Sequence, residues 1–397
     1  EDQSARSTES PMITTLAVEN YRSLSRLVVP LDRLNVVTGA NGTGKTSLYR
    51  ALRLLADAAQ GGAVAALARE GGLRSTLWAG EENPAQGAGR TGPVGLRLGF
   101  AGDEFGYAVD FGHPIPIPSG SLFDLDPEIK CESTWAGPVL RPAAVLSERS
   151  GPSVRTRTAD GDWHRSVNAL RPYDSMLSEL ADPRLAPDLL RLREHIRSWR
   201  FYDHVRTDAD APARTARIGT RTPVLGHDGS DVAAALQTIM EIGDRKGLEA
   251  AVDAAFPGSR LEIGSEGGRF ELLLQQPGLM RPLGAAELSD GTLRYLLWTA
   301  ALLTPRPPAL LVLNEPEASL HPELLPPLAD LILTAARDTQ IVVVTHATDL
   351  AEQLDLGSVR HRLDVNSVEL VKDELGQTEV AGREGPLDQP PWHWPKR

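Results

Sequence analysis

An α/β fold built around a mostly parallel sheet is what the sequence predicts, and three observations point to it. Leu34 to Thr38 reads as a strand that passes through a glycine-rich turn into a helix from Lys45 to Gln60, with Leu48, Leu52 and Leu55 at helical spacing. Pro308 to Leu313 and Thr339 to Thr345 are continuous apolar runs, the pattern of parallel strands buried on both faces, and the helix Glu323 to Ala336 separates them. Val94 to Phe100 and Phe105 to Phe111 have the pattern of a hairpin turning at Gly102-Asp103, so an antiparallel sheet is expected to flank the parallel one.

The other elements follow in order. Ile13 to Val18 reads as a first strand, with a short connection at Tyr21 to Leu31. Glycines 61, 62, 71 and 72 interrupt the segment after the first helix, and Gly80 to Gly92 and Pro114 to Gly120 read as loops. Strand signals recur at Glu128 to Thr134 and Ala143 to Ser147. Leu180, Leu185, Leu189, Leu192, Ile196 and Trp199 then form one helical stripe over Leu177 to Trp199. Helices are expected from Ser230 to Ile242, ahead of Phe256 and after Gly291, strands within Gly258 to Leu274, and a last hairpin at Glu369 to Val371 and Thr378 to Ala381. The organisation this implies is a leader or tag over 1–11, a first lobe over 12–170, a helical insertion over 171–257, a second part of the same head over 258–384 and a Pro/Trp-rich tail over 385–397.

Composition narrows the function. The 397 residues suffice for two or three folding units, and the apolar and charged fractions are those of a globular protein. No apolar run reaches the roughly 18 residues a membrane helix needs, and the first residues have no signal-peptide core. The single cysteine, Cys131, allows no intrachain disulfide, so a soluble cytoplasmic protein is expected. A formal net charge of −12 argues against a general DNA-coating role, though it leaves room for a local basic face.

Gly39-Ala40-Asn41-Gly42-Thr43-Gly44-Lys45-Thr46 fits the phosphate-loop pattern G-x-x-x-x-G-K-[ST], and it lies between a predicted strand and helix as that pattern requires. Glycines let backbone N–H groups wrap an anion, and the helix N-terminus adds partial positive charge. Lys45 is expected at the β- and γ-phosphates of ATP, the Thr46 hydroxyl on Mg²⁺ and Ser47 at the α-phosphate. Such a loop alone does not choose among kinases, GTPases and motors.

The later motifs carry a resemblance. Leu288-Ser289-Asp290-Gly291-Thr292 resembles the L-S-x-G signature of ABC ATPases, opening a helix. Leu310 to Leu313 followed by Asn314-Glu315-Pro316-Glu317 resembles a Walker B strand with its acidic end, and Val342-Val343-Val344-Thr345-His346 resembles the strand carrying the switch histidine. Glu19 to Leu24 and the string Glu315-Pro316-Glu317 with Ser319-Leu320-His321-Pro322 are similar to elements of the SMC, RecF and OLD group within that family. The resemblance implies a P-loop NTPase fold with an ABC ATPase head, and two heads sandwiching two ATPs as a homodimer. It implies Arg22 near the phosphates, Ser289, Asp290 and Gly291 on the partner's ATP, Asn314 with Thr46 on Mg²⁺, Glu315 as general base and His346 as γ-phosphate sensor.

Departures from the family pattern shape the expectation. Asn314 stands where the family has Asp, which predicts slow hydrolysis. The interval from Lys45 to Ser289 is far longer than in transporter subunits. No coiled-coil heptads are present, and the residues after His346 are too few for a Toprim domain, so no intrinsic nuclease is expected. The segment Arg184 to Arg221 holds nine arginines against five acidic residues, readable either as solvated faces or as a contact surface for DNA or an acidic partner. Two functions stay open: an ATP-gated DNA process in repair or defence against phages and plasmids, and an ATP-binding scaffold that regulates a separate effector protein.

Overall fold

The computed structural model describes residues 11–80, 95–115, 120–166, 169–180, 182–203, 205–383, 385 and 387–396. The leader expected over 1–11 and the loop expected at Gly80 to Gly92 lie almost wholly outside these residues, as does the middle of the loop at Pro114 to Gly120. In chain order the elements are β1 (Ile13–Tyr21), β2 (Leu24–Pro30), β3 (Leu34–Gly39), α1 (Lys45–Ala59), α2 (Ala63–Arg69), α3 (Leu73–Thr76), β4 (Gly95–Gly102), β5 (Phe105–Gly112) and β6 (Glu128–Ala136). Then come β7 (Val145–Ser150), β8 (Ser153–Arg157), β9 (Trp163–Arg165), α4 (Met176–Glu179), α5 (Pro187–Arg197), β10 (Arg200–Tyr202), β11 (Arg217–Ile218), α6 (Val232–Ile242) and α7 (Arg245–Ala255). The chain closes with β12 (Arg260–Glu266), β13 (Arg269–Gln275), β14 (Leu283–Gly284), α8 (Asp290–Leu302), β15 (Leu310–Asn314), α9 (Leu325–Ala335), β16 (Gln340–Val344), α10 (Thr348–His361), β17 (Val365–Lys372) and β18 (Thr378–Val380).

These elements form two compact units. One comprises Arg33–Val36 and Arg200–Asn366; the other comprises Pro11–Asp32, Val37–Trp199 and the C-terminal segment from Ser367. In the first, β10, β15 and β16 are parallel neighbours, and the opening residues of β3 continue that sheet. Leu311, Leu313, Ile341 and Val343 enter one core with Leu293, Leu297 and Ala301 of α8 and Leu328, Ile332 and Leu333 of α9. The alternate residues Leu310, Val312 and Val342 are also buried, which is why these strands read as unbroken apolar runs. Each such side chain contributes about 1.5–3 kcal/mol by leaving water. A hairpin of β12 and β13, joined by β11 and β14, makes a separate small sheet.

The second unit holds an antiparallel sheet in the order β2-β1-β4-β5-β6-β7-β8-β9. Its interior contains an ion pair between Arg149 and Glu132 (3.0 Å) with neither side chain exposed. Glu132 also accepts from Tyr107, Ser175 and the backbone of Met176, while Arg149 donates to the carbonyls of Gly151 and Arg171. A buried pair survives only when its remaining donors and acceptors are met in this way. The tail docks on the same sheet. Trp392 meets Trp135 at 5.7 Å between ring centroids and Trp394 at 5.2 Å. A Cβ on Gly99 would lie 2.6 Å from the Trp392 ring, so the missing side chain makes the slot that the indole fills.

Several elements differ from the sequence expectation. The connection expected at Tyr21 to Leu31 is a hairpin, because Asn20 and Arg22 adopt positive φ (64° and 51°) and turn the chain straight into β2. The single helix expected over Leu177 to Trp199 is two, α4 and α5, separated around Pro183; Pro187 then sits in the first turn of α5, where its missing N–H is harmless. The helices of the stretch 171–257 fall in both units, because β10 returns the chain to the parallel sheet at Arg200. Among the described residues no helix is long and apolar enough to cross a membrane.

Candidate functional site

In the second unit, β3 ends at Gly39 and α1 begins at Lys45. Gly39, Gly42 and Gly44 hold φ at 142°, 81° and 108°, values that side-chain-bearing residues rarely adopt. A Cβ on Gly44 would meet Leu24 and Thr378 at 2.9 Å and Ser23 at 3.0 Å, and one on Gly39 would collide with the Leu370 carbonyl. Thr43 donates both its N–H (3.3 Å) and its hydroxyl (2.9 Å) to the Ala40 carbonyl, which curls the loop. The first helical hydrogen bond is Leu48 N–H to Gly44 (2.9 Å), so the amides of Lys45, Thr46 and Ser47 precede the helical ladder. Ala40, Asn41 and Gly42 are exposed at the tip, and so is Thr46. The result is a concave run of backbone donors at a helix N-terminus, the geometry that takes a polyphosphate.

Lys45 folds back in this structure, its Nζ donating to the carbonyls of Gly39 and Ala40. Ser47 meets Ser23 at 3.0 Å. Arg22, expected near the phosphates, is held instead by Glu70, which receives its Nε (2.8 Å) and Nη2 (2.6 Å). The same carboxylate accepts from Tyr21; burial first, and then the charge of Glu70, push that phenol well above its ordinary range. Sequence reasoning also missed the brace from the last hairpin. The Thr378 hydroxyl donates to the carbonyls of Thr43 (2.7 Å) and Ser23 (3.1 Å), and Lys372 donates to Ser23 (3.3 Å). A single Thr in a hairpin carries no local signal of that role.

In the first unit, β15 ends at Asn314 and the next residue, Glu315, has φ 48° while its N–H donates to the Val344 carbonyl (2.8 Å). Left-handed backbone at a residue other than glycine costs about 1–2 kcal/mol, and such strain concentrates at functional turns. The Glu315 carboxylate lies 3.1 Å from His346 Nε2. Glu317, two residues on, receives the Thr345 hydroxyl and the backbone N–H groups of His346 and Ala347 (both 3.3 Å) on one oxygen. Its other oxygen is buried without a hydrogen-bond partner. Trp298 of α8 donates to the Pro316 carbonyl (2.8 Å), and a Cβ on Gly291 would sit 2.9 Å from the Ser319 carbonyl. The turn after Glu315 and the start of α8 are thereby packed together.

Ser289 caps α8, its hydroxyl accepting from Thr292 N–H (3.1 Å), and both Ser289 and Asp290 are exposed. Arg214 itself is not available to a contact surface on the Arg-rich segment. Its side chain is 7% exposed, and it is committed to Asp290 (2.7 Å) and to nearby backbone carbonyls. Other arginines of that segment are paired locally: Arg191 with Asp188, Arg197 with Glu194, Arg206 with Asp208 and Arg221 with Glu241. These four arginine side chains remain more than half exposed, so only Arg214 is withdrawn from the surface by its contacts.

The donor set can be tested against Mg²⁺. Thr46 presents a hydroxyl and Asn314 a neutral amide, and among the described residues no group of three or more His, Cys, Asp or Glu could cage an ion. A hydroxyl and an amide oxygen are each hard oxygen donors of the kind Mg²⁺ takes beside waters and phosphate.

A phosphate loop at a strand-to-helix turn, with an acid-ended parallel strand and a capped helix, defines a P-loop ATPase of the ABC type. Over residues 34–351 the chain matches the family described as "AAA domain, putative AbiEii toxin, Type IV TA system". It belongs to that family. No curated protein matches it. Among solved structures it is similar to an SMC head bound to the C-winged helix domain of ScpA, at 13% identity and TM-score 0.50, covering 94% of this chain and 98% of that one. It is also similar to the SMC head domain from Thermotoga maritima (13% identity, TM-score 0.45, covering 93% and 98%) and to the Pyrococcus furiosus Smc head with an extended coiled coil bound to the C-terminal domain of ScpA (12%, 0.48, 94% and 96%). The first of these likenesses places the fold among SMC heads.

Proposed function

We propose that the chain is an ATP-clamped head: two copies close on two ATPs, hydrolyse them slowly and open again, driving a DNA-related process in repair or in defence against phages and plasmids. The observation that carries the hydrolytic part is the Glu315–His346 pair, 3.1 Å apart where two parallel strands end, with Glu315 turned out of its strand by positive φ. The loop from Gly39 to Ser47 binds the triphosphate, and Lys45 leaves its two carbonyls for the β- and γ-phosphates. Thr46 and Asn314 would be the protein ligands of Mg²⁺, which would offset charge on those phosphates. Glu315 accepts a proton from the attacking water as the bond from γ-phosphorus to the bridging oxygen breaks, releasing ADP and phosphate. His346 orients the γ-phosphate. The start of α8, where Ser289 and Asp290 are exposed, offers the partner copy's ATP a hydroxyl and a helix N-terminus.

Phosphate release with Mg²⁺-ATP tests this reading. Glu315→Gln should keep nucleotide binding and lower turnover by about a hundredfold or more; unchanged turnover would remove Glu315 from the chemistry. Asn314→Asp should raise turnover, because a carboxylate holds the cation's waters better than an amide. An equal rate would show that the neutral residue is not the brake. DNA that stimulates turnover supports the DNA process.

One observation favours a second reading. Asn314 in place of a carboxylate suits a long-lived ATP state, as in a scaffold that controls an effector protein. The family's description as a toxin of a toxin–antitoxin system, and the partner domain carried by the SMC head it resembles, are compatible with that reading. Negligible turnover with a co-purifying protein would favour it.

A further inference from the structure

Arg214 is heavily committed within the first unit. Its Nε donates to Thr207 (2.9 Å) and Asp208 (3.0 Å), and its Nη2 to Thr207 (2.7 Å) and the Asp290 carboxylate (2.7 Å). Its Nη1 donates to the carbonyls of Ala285 (2.9 Å) and Leu288 (2.7 Å). Three of these groups, Ala285, Leu288 and Asp290, belong to the turn that delivers Ser289 and Gly291. A planar guanidinium with five donors in a fixed fork can hold several acceptors in one geometry, which an ammonium on a flexible stem cannot. The grip is one-sided in an informative way. Leu288 is buried and the Arg214 side chain nearly so, yet Ser289 and Asp290 face solvent. Arg214 thus fixes, from beneath, a helix start whose outer face is free.

We infer that Arg214 is a positioning residue for the signature: it holds Ser289 and Gly291 in the orientation that meets the partner copy's ATP, without touching the nucleotide itself. The inference rests on the ATP-clamp reading. It assigns a role in that clamp to a residue whose charge would otherwise suggest a surface contact. Removing the fork would leave the phosphate loop of the same chain intact and blur only the face presented to the partner.

The test uses the full chain with Arg214→Lys, Asp290→Asn and Ser289→Ala, each followed by binding of a fluorescent ATP analogue, phosphate release and molar mass with Mg²⁺-ATP. Arg214→Lys should leave analogue affinity within about twofold, lower kcat about tenfold and reduce the ATP-dependent dimer. Asp290→Asn, at an exposed side chain whose amide oxygen can still accept from Arg214, should produce a smaller loss of the same kind. In a Ser289→Ala background, Arg214→Lys should change kcat by less than about twofold, because both substitutions act through one contact. A structural role alone would give independent, additive losses and would overturn the inference. So would an Arg214→Lys protein that matches wild type in kcat and dimerisation. If Arg214→Lys does not fold, Asp290→Asn decides: wild-type behaviour there overturns the inference. Indifference of wild-type mass and turnover to Ser289→Ala and to ATP would overturn the ATP-clamp reading along with it.

Discussion

The phosphate loop and the acidic turn are built by opposite means. From Gly39 to Gly44 the shape lies in the backbone: three glycines at positive φ leave no room for a Cβ at two of the three positions. From Asn314 to His346 the shape lies in side chains drawn from far along the sequence. Trp298 holds Pro316, and Glu317 holds the loop that carries His346. A backbone device is written in consecutive residues, whereas a side-chain device is written across the fold. The first tolerates almost no substitution at its glycines, and the second is expected to weaken by degrees.

The largest effect expected is at the backbone device. Lys45→Ala should lower ATP affinity about a hundredfold or more, since it removes the side-chain cation that the phosphate loop itself supplies; isothermal titration measures it, and near wild-type affinity would break the contrast. At the side-chain device, Glu317→Ala removes the acceptor for Thr345, His346 and Ala347. It should lower kcat about tenfold while KM for ATP changes little, with partial rescue in Glu317→Gln, whose amide oxygen can still accept. A rise in KM alone would place Glu317 with nucleotide binding instead.

The smallest effect concerns stability. Burial depresses the His195 imidazole to about 4, beside Trp199. An imidazole whose folded pKa lies below its unfolded value of about 6.5 contributes stability above that value and loses it as pH falls towards about 4, because the unfolded chain binds the proton first. Partial exposure limits the loss to the order of 1–2 kcal/mol. Thermal melts from pH 7 to 4 should therefore fall less steeply for His195→Gln than for wild type; parallel curves would show that His195 is not the titrating group.

The same contrast explains what was legible in the sequence. The α/β class, the strand-to-helix turn at Gly39, the paired apolar strands and the hairpin β4–β5 are local patterns, and they were readable. The places of Glu315 and His346, just past the ends of two such strands, were readable as well. The hairpin β1–β2 was hidden because its turn uses Asn20 and Arg22, not glycine, at positive φ. Helix α10 was hidden by Gly357, which is there because Leu333 occupies the space of its side chain. The three-residue β10 is too short to show a period. Glu70, Arg214, Glu317 and Thr378 carry no motif, and their roles exist only once distant segments meet. Arg214 shows the cost of reading charge alone, since this cation in an Arg-rich stretch is buried.

Solution molar mass, measured by light scattering without nucleotide and with Mg²⁺-ATP, tests the central claim most directly. The ATP-clamp account predicts monomer without nucleotide, dimer with it, and monomer in both conditions for Ser289→Arg, which puts a bulky side chain on the exposed start of α8. A mass unchanged by ATP, or a dimer indifferent to Ser289→Arg, would contradict it.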